Sequence, residues 1–173
     1  NIKYETTTFG VFEEFKYNVK NGIVEIKGLT KEGKKMSFHK IPSQIDGYPV
    51  TIIASGAFHD RKEIDDIEIP DSVSMIGDYA FSKCSALKRI VLPNGLRYIG
   101  DHAFLGASLL LDIEGGDNVE HIGNSAFYGT RWLDVQGDFA ILGKVLYKYK
   151  GNSQTVNVPV DVRVLAPYSF SGT

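Results

Sequence analysis

The residues best suited to chemistry are few, and their spacing keeps them apart. Cys84 is the single cysteine among 173 residues. One thiol makes no intramolecular disulfide and is too few for a cysteine-based zinc site. Small residues, Ala107 and Thr130, stand where Cys84 would recur, so it reads as a small buried thiol rather than a nucleophile. His39, His59, His102 and His121 show no HxxxH spacing and are not expected to converge on a metal. No Gly-rich phosphate loop, nucleophile elbow or HExxH motif occurs, and no EF-hand or nonapeptide calcium motif. The chain therefore reads as a non-enzyme, with no catalytic, metal or cofactor residue.

Charged residues are more informative, because they recur at a spacing of 23. One column holds Asp66, Arg89 and Asp112, a second Glu68, Val91 and Glu114, and a third Asp65, Lys88 and Leu111. Two readings apply. The first two columns form a mixed-charge patch that receives a protein partner, or Asp66, Arg89 and Asp112 neutralise one another across neighbouring strands. No column carries one sign, so no field for a polyanion is expected. Tyr147 and Tyr149 read as solvent-facing, either as anchors for a partner or as packing residues. Trp132 reads as packing.

The elements that position these residues follow from the same period. Ala-Phe recurs at Ala57-Phe58, Ala80-Phe81, Ala103-Phe104 and Ala126-Phe127. Five residues before each Phe stand Ile53, Ile76, Ile99 and Ile122; eight before stand Val50, Val73, Leu96 and Val119. Gly77, Gly100 and Gly123 follow the Ile in three units, where glycine suggests a turn geometry costly for other residues. Leu87–Leu92 reads as a short strand with one buried face, ended by Pro93. Val73–Ile76 reads as a second extended piece, and Asp-Tyr-Ala-Phe as a short helical or 3₁₀ turn. One unit cannot bury its own apolar side, so neighbours must stack and join the Phe positions into a spine. Val156, Val158, Pro159, Val162, Leu165 and Phe170 resume the pattern after an insertion of 20 residues.

Residues 1–40 do not match the period. Phe15–Val19 and Ile23–Lys27 alternate like strands around Lys20-Asn21-Gly22, which predicts an N-terminal β-cap. The repeat domain is expected over 41–173, with its first unit five residues longer than the others. Within it, about 134–155 read as an inserted β-hairpin turning at Gly143-Lys144 in type II′ geometry. The chain stops mid-unit at Thr173, which reads as a fragment of a longer array, and the start at Asn1 reads as processed or trimmed. Nineteen Lys and Arg against 21 Asp and Glu leave a formal charge of −2. That balance argues against nucleic acid or an anionic membrane as partner. No apolar run reaches the roughly 18 residues of a transmembrane helix.

The units Ile64–Cys84 and Leu87–Leu105 resemble the BspA-like leucine-rich repeats, also called the Treponema pallidum type. Their pattern runs Leu-x-x-Ile-x-Ile-Pro-x-x-Val-x-x-Ile-Gly-x-x-Ala-Phe-x-x-Cys, which Pro70, Gly77, Ala80, Phe81 and Cys84 follow. The resemblance implies an α/β repeat: a right-handed leucine-rich-repeat solenoid, β-rich with short helical turns. It also implies a secreted or bacterial cell-surface protein, monomeric and without a cofactor. Its function would be a non-catalytic interaction module for a protein or glycan, an adhesin for host matrix proteins among them. A structural stalk that displays another domain is the alternative. The concave face, with Asp66, Glu68, Arg89, Val91, Asp112 and Glu114, would be the binding surface.

Overall fold

The computed structural model describes residues 7–172. Residues 1–6 of the expected cap and Thr173 of the last unit lie outside the described residues. The chain opens with three antiparallel strands, β1 (Thr8–Phe12), β2 (Phe15–Lys20) and β3 (Ile23–Leu29). Asn21 and Gly22 link β2 to β3 at φ of 53° and 75°, as a two-residue I′ turn demands. Phe15, Val24, Ile26 and Leu29 are buried.

Two strand ladders then run along the array. The first is a row of two parallel pairs, β4 (Phe38–Lys40) with β7 (Asp66–Glu68) and β9 (Arg89–Leu92) with β11 (Asp112–Gly115); β7 and β9 lie side by side without strand pairing. The second contains β6 (Tyr48–Ile53), β8 (Met75–Ile76), β10 (Tyr98–Ile99) and β12 (His121–Ile122), all parallel. β5 (Gln44–Ile45) folds back on β6. β3 pairs with β6, so the cap and the second ladder form one continuous sheet. The pairing of β4 with β7 carries the first ladder into 38–40, residues that the sequence pattern assigns to the cap. His39 there faces Ile67 and takes the place of the apolar residue.

The turn segments are not helical. Around each Phe, alternate N–H groups leave for the next coil: Tyr79 to Asp101 O, Phe81 to Ala103 O and Lys83 to Leu105 O, at 2.9, 2.7 and 2.8 Å. The N–H groups between them close i to i−3 turns, such as Ala80 to Gly77 O and Ser82 to Tyr79 O. Helical bonding cannot propagate when every second donor is spent outside the coil. The expected helical turns are thus a third ladder, and the fold is a β-solenoid rather than an α/β repeat. Left-handed residues two before and two after each Phe shape it, including Tyr79 and His102 at φ 57°. Those conformations are strained for residues with a Cβ.

The glycine after Ile76, Ile99 and Ile122 has another role than the one its position suggests. Gly77, Gly100 and Gly123 do not fall in the left-handed region. A Cβ on Gly100 would lie 2.4 Å from Asp78 Oδ1, and one on Gly123 would lie 2.4 Å from the backbone nitrogen of Asp101. Glycine therefore clears the passage of the preceding coil. In that space Asp78 Oδ1 accepts from Asp101 N–H at 2.8 Å, and Asp101 Oδ1 from Asn124 N–H at 2.7 Å.

Phe58, Phe81, Phe104 and Phe127 are fully buried and stack nearly parallel at centroid separations of 5.1, 5.3 and 5.2 Å. That spacing follows the roughly 4.7–4.9 Å between paired strands. Phe170 leaves this spine: it is partly exposed and stands against Tyr149 at 5.6 Å. Between them the chain forms helix α1 (Arg131–Val135), capped by Thr130 accepting from Leu133 N–H, and the hairpin β13 (Phe139–Leu142) and β14 (Val145–Tyr149). Gly143 at φ 56° opens its two-residue turn. β14 does not stop at the hairpin. It pairs in parallel with β15 (Val164–Leu165), and Ala166 N–H reaches Leu146 O as Gly100 N–H reaches Ile76 O.

Replacing Phe104 by Ala removes two ring stacks and should lower unfolding free energy by about 3–5 kcal/mol. Gly100→Ala should lower it by about 1–3 kcal/mol through overpacking. Urea denaturation followed by circular dichroism reads both, and an unchanged midpoint for Gly100→Ala would refute the close-approach role.

Candidate functional site

The first ladder presents its outward residues in two rows. Phe38 pairs with Asp66 and Lys40 with Glu68; Asp112 pairs with Arg89 and Glu114 with Val91. Their neighbours Ile67, Ile90 and Ile113 turn the other way, into the core. The alternation of the pleat thus keeps the six candidate residues on one side. All six are exposed, with Val91 at 44% and the flanking Phe38 at 43%.

The charges do not neutralise as a column. Arg89 Nε and Nη2 donate to Glu114 Oε1 and Oε2 at 3.0 and 2.7 Å, a bidentate pair on the diagonal rather than straight across. That hydrogen bond, then the charge itself, holds the Glu114 carboxyl below its ordinary pKa and raises that of Arg89. Asp112 and Asp66 reach the guanidinium only through their fields. A long Arg side chain reaches the diagonal carboxylate, and the longer Glu meets it where Asp does not. Lys40 Nζ pairs with Glu68 Oε2 at 2.8 Å. Lys40 and Phe38 escaped the sequence pattern because the first unit is longer. The 28-residue offset from Pro42 to Pro70 is the signal that places them, since Lys40 and Glu68 are also 28 apart.

Tyr147 and Tyr149 are a correction. Rather than facing solvent they are only 6% and 3% exposed. Tyr147 stands edge-on to Phe127 at 5.4 Å, and Trp132 packs on the same ring at 4.9 Å. The Tyr147 hydroxyl accepts the Phe127 N–H at 3.1 Å. In earlier coils that donor goes to the next coil's Ala carbonyl, as in Phe81 to Ala103 and Phe104 to Ala126. Burial raises the Tyr147 phenol above its ordinary pKa. Tyr147 extends the core where a regular rung is missing, and Tyr149 packs between Phe139 and Phe170.

Cys84 is fully buried and its thiol donates to Phe58 O at 3.1 Å. Burial is the largest influence on it and pushes its pKa up to about 12. The histidines lie far apart in role. His39 is buried, edge-on to Phe15, with Nδ1 3.4 Å from Glu14 Oε1. His102 stacks on Tyr79 at 4.7 Å and His121 on Tyr98 at 4.4 Å. These are neighbour-on-neighbour stacks along two separate columns.

Stacked parallel rungs, a buried Phe–Ile core and an exposed strand ladder define a leucine-rich-repeat solenoid. The model of the BspA type leucine rich repeat region matches residues 51–173 in six copies, and the chain belongs to that family. A leucine-rich repeat protein from Bacteroides capillosus is similar over 73% of this chain and 95% of its own, at 26% identity and a TM-score of 0.66. The Treponema pallidum leucine-rich repeat protein is similar over 70% of this chain and 67% of its own, at 27% identity and a TM-score of 0.55. The pneumococcal vaccine antigen PcpA shares the fold at 18% identity and a TM-score of 0.56, over 96% of this chain and 48% of its own. No curated protein matches the chain significantly. No enzymatic family is indicated. Among the described residues no helix is long and apolar enough to cross a membrane.

Cys84 carries a pH prediction. Its folded pKa lies above the ordinary thiol value of 9.0, so its contribution to stability is complete below pH 9 and is lost as pH rises toward 12. The native chain should show no thiol reactive to a disulfide reagent at pH 8 and one after unfolding. Cys84→Ala should flatten the alkaline fall in stability; an unchanged slope would contradict the buried-thiol assignment.

Proposed function

We propose that this chain is a non-catalytic interaction module of a bacterial surface or secreted protein, an adhesin that receives a protein partner on its first strand ladder. The carrying observation is the composition of that face. Val91 and Phe38 are exposed apolar residues set among Lys40, Asp66, Glu68, Arg89, Asp112 and Glu114. Apolar contact area within a charged rim is the anatomy of protein recognition. Four carboxylates against two cations favour a partner surface that is basic overall. Surface or secreted placement rests on membership of the BspA-type family.

The Arg89–Glu114 pair orders this surface before a partner arrives, which reduces the entropy lost on docking. Reversing Arg89 should therefore act twice, by freeing Glu114 and by adding a like charge beside Asp66 and Asp112. Against immobilised extracellular-matrix proteins, the chain should bind at least one, and Arg89→Glu and Val91→Asp should each alter that affinity about tenfold. Surface plasmon resonance reads this, with circular dichroism as the check on fold. Binding to glycans alone would assign the face to a carbohydrate. Affinity that neither substitution changes would remove the strand ladder from the function and favour a stalk.

A further inference from the structure

The cap and the first coil meet at a cleft away from the first strand ladder. Its volume is about 190 Å³, and Lys16, Lys27, Lys34, His59 and Arg61 line it. These side chains come from β2, β3, the 3₁₀ turn Gly33–Lys35 and the turn after Phe58. The register of β2 and β3 slips between Lys16 and Tyr17, which leaves Lys27 unpaired and sets it beside Lys16. Glycine lets the cap come close to the coil: a Cβ on Gly28 would lie 2.8 Å from Ala57 O. Four cations thus gather in one cleft of a chain whose formal charge is −2.

Their charge is only partly met within the molecule. No Asp or Glu among the described residues lines the cleft. Lys27 stands 3.5 Å from Glu25 and Arg61 3.6 Å from Glu63, against 2.7 Å for Arg89–Glu114 and 2.8 Å for Lys40–Glu68. The longer pairs lie outside the roughly 2.7–2.9 Å of a charge-assisted hydrogen bond. The Lys16 and Lys34 ammonium groups have no carboxylate partner among the described residues. The nearby His59 carbonyl is already covered, since it accepts from Arg61 Nε at 3.2 Å. An apolar depression adjoins the cleft and shares Lys16 and Lys27 with it. Phe9 and Val11 of β1 form it, 72% and 62% exposed. Val11 pairs directly across from Lys16, so the apolar and basic parts belong to one surface.

The geometry points to a second binding site here, one that takes an acidic segment of a partner protein with an apolar side chain among its carboxylates. The carboxylates accept from Lys16, Lys27, Lys34 and Arg61 in the cleft, and the apolar side chain covers Phe9 and Val11. Charge complementarity excludes a basic segment, which the four cations repel. A bare anion or a sulfated polysaccharide meets the cations but leaves Phe9 and Val11 in water, so it forgoes the apolar part of the surface. The cleft is opposite in sign to the first strand ladder, where carboxylates outnumber cations, and the two do not compete for one partner surface. This site does not rest on the function of that ladder.

The capped peptide acetyl-Asp-Glu-Phe-Glu-Asp-amide, titrated into ¹⁵N-labelled chain at low ionic strength, tests the proposal. At millimolar concentration it should shift the Lys16, Gly28 and Ala57 amides saturably, and added salt should weaken it by screening. Lys16→Glu and Lys34→Glu change exposed side chains and leave the core intact; each should weaken binding about tenfold. Arg89→Glu should leave it unchanged. Ser in place of the peptide's Phe should also weaken binding, by about fivefold. No saturable shift at those amides would overturn the proposal, and so would equal binding of the Phe and Ser peptides. A heparin disaccharide that shifts the same amides and displaces the peptide would overturn it in favour of a glycan. Shifts there on concentrating the chain without peptide would give the surface to a second copy instead.

Discussion

Everything in this molecule depends on the hydrogen-bonded spacing between successive coils, close to 5 Å. Three ladders enforce it: two of short parallel strands, the first interrupted between β7 and β9, and one of turns whose alternate N–H groups cross to the neighbour. At that separation flat Phe rings lie face to face, and glycine leaves room for the preceding coil behind Ile76, Ile99 and Ile122. The left-handed turn residues are strained singly and persist because the hydrogen bonds across the coil boundaries determine their place. Stability is therefore a sum over coil boundaries, and no coil has a core of its own.

The hairpin shows what happens when that spacing is interrupted. β14 returns into the array and serves as a rung for β15, with Leu146 in the place of the buried Ile. It does not also reproduce the turn segment, because three residues after Leu146 the Tyr149 N–H already crosses to Ser169 O. The Tyr147 hydroxyl meets one of the stranded donors, and Trp132 and Tyr147 close the end of the Phe spine. Buried aromatic residues with a polar tip suit this, since they fill volume and supply a hydrogen bond at once. The same economy leaves Tyr128 and Tyr168 uncovered.

Much of the exposed face was legible in advance. Asp66, Arg89 and Asp112 were brought to one row because a spacing of 23 residues translates directly into adjacent strands. Their ion pairing was not. Register places Arg89 opposite Asp112, yet side-chain length decides for Glu114, a choice invisible to a column of letters. Tyr147 and Tyr149 were misjudged for a related reason. Read as an insertion, the hairpin leaves its phenols in solvent, but β14 pairs with β15 within the array and is covered on both sides, so both tyrosines are buried.

The sequence by itself determined the period, the Phe and Ile columns, the strand positions and the family. Each is set by a local pattern repeated at constant spacing, and repetition makes neighbours in space readable from neighbours in number. Only the tertiary structure decided why glycine follows Ile, how the turns bond, where the first ladder begins and what the hairpin becomes. Those depend on which backbone groups meet across a coil boundary. A contact of that kind has no signature in either coil alone, because donor and acceptor are brought together only by stacking.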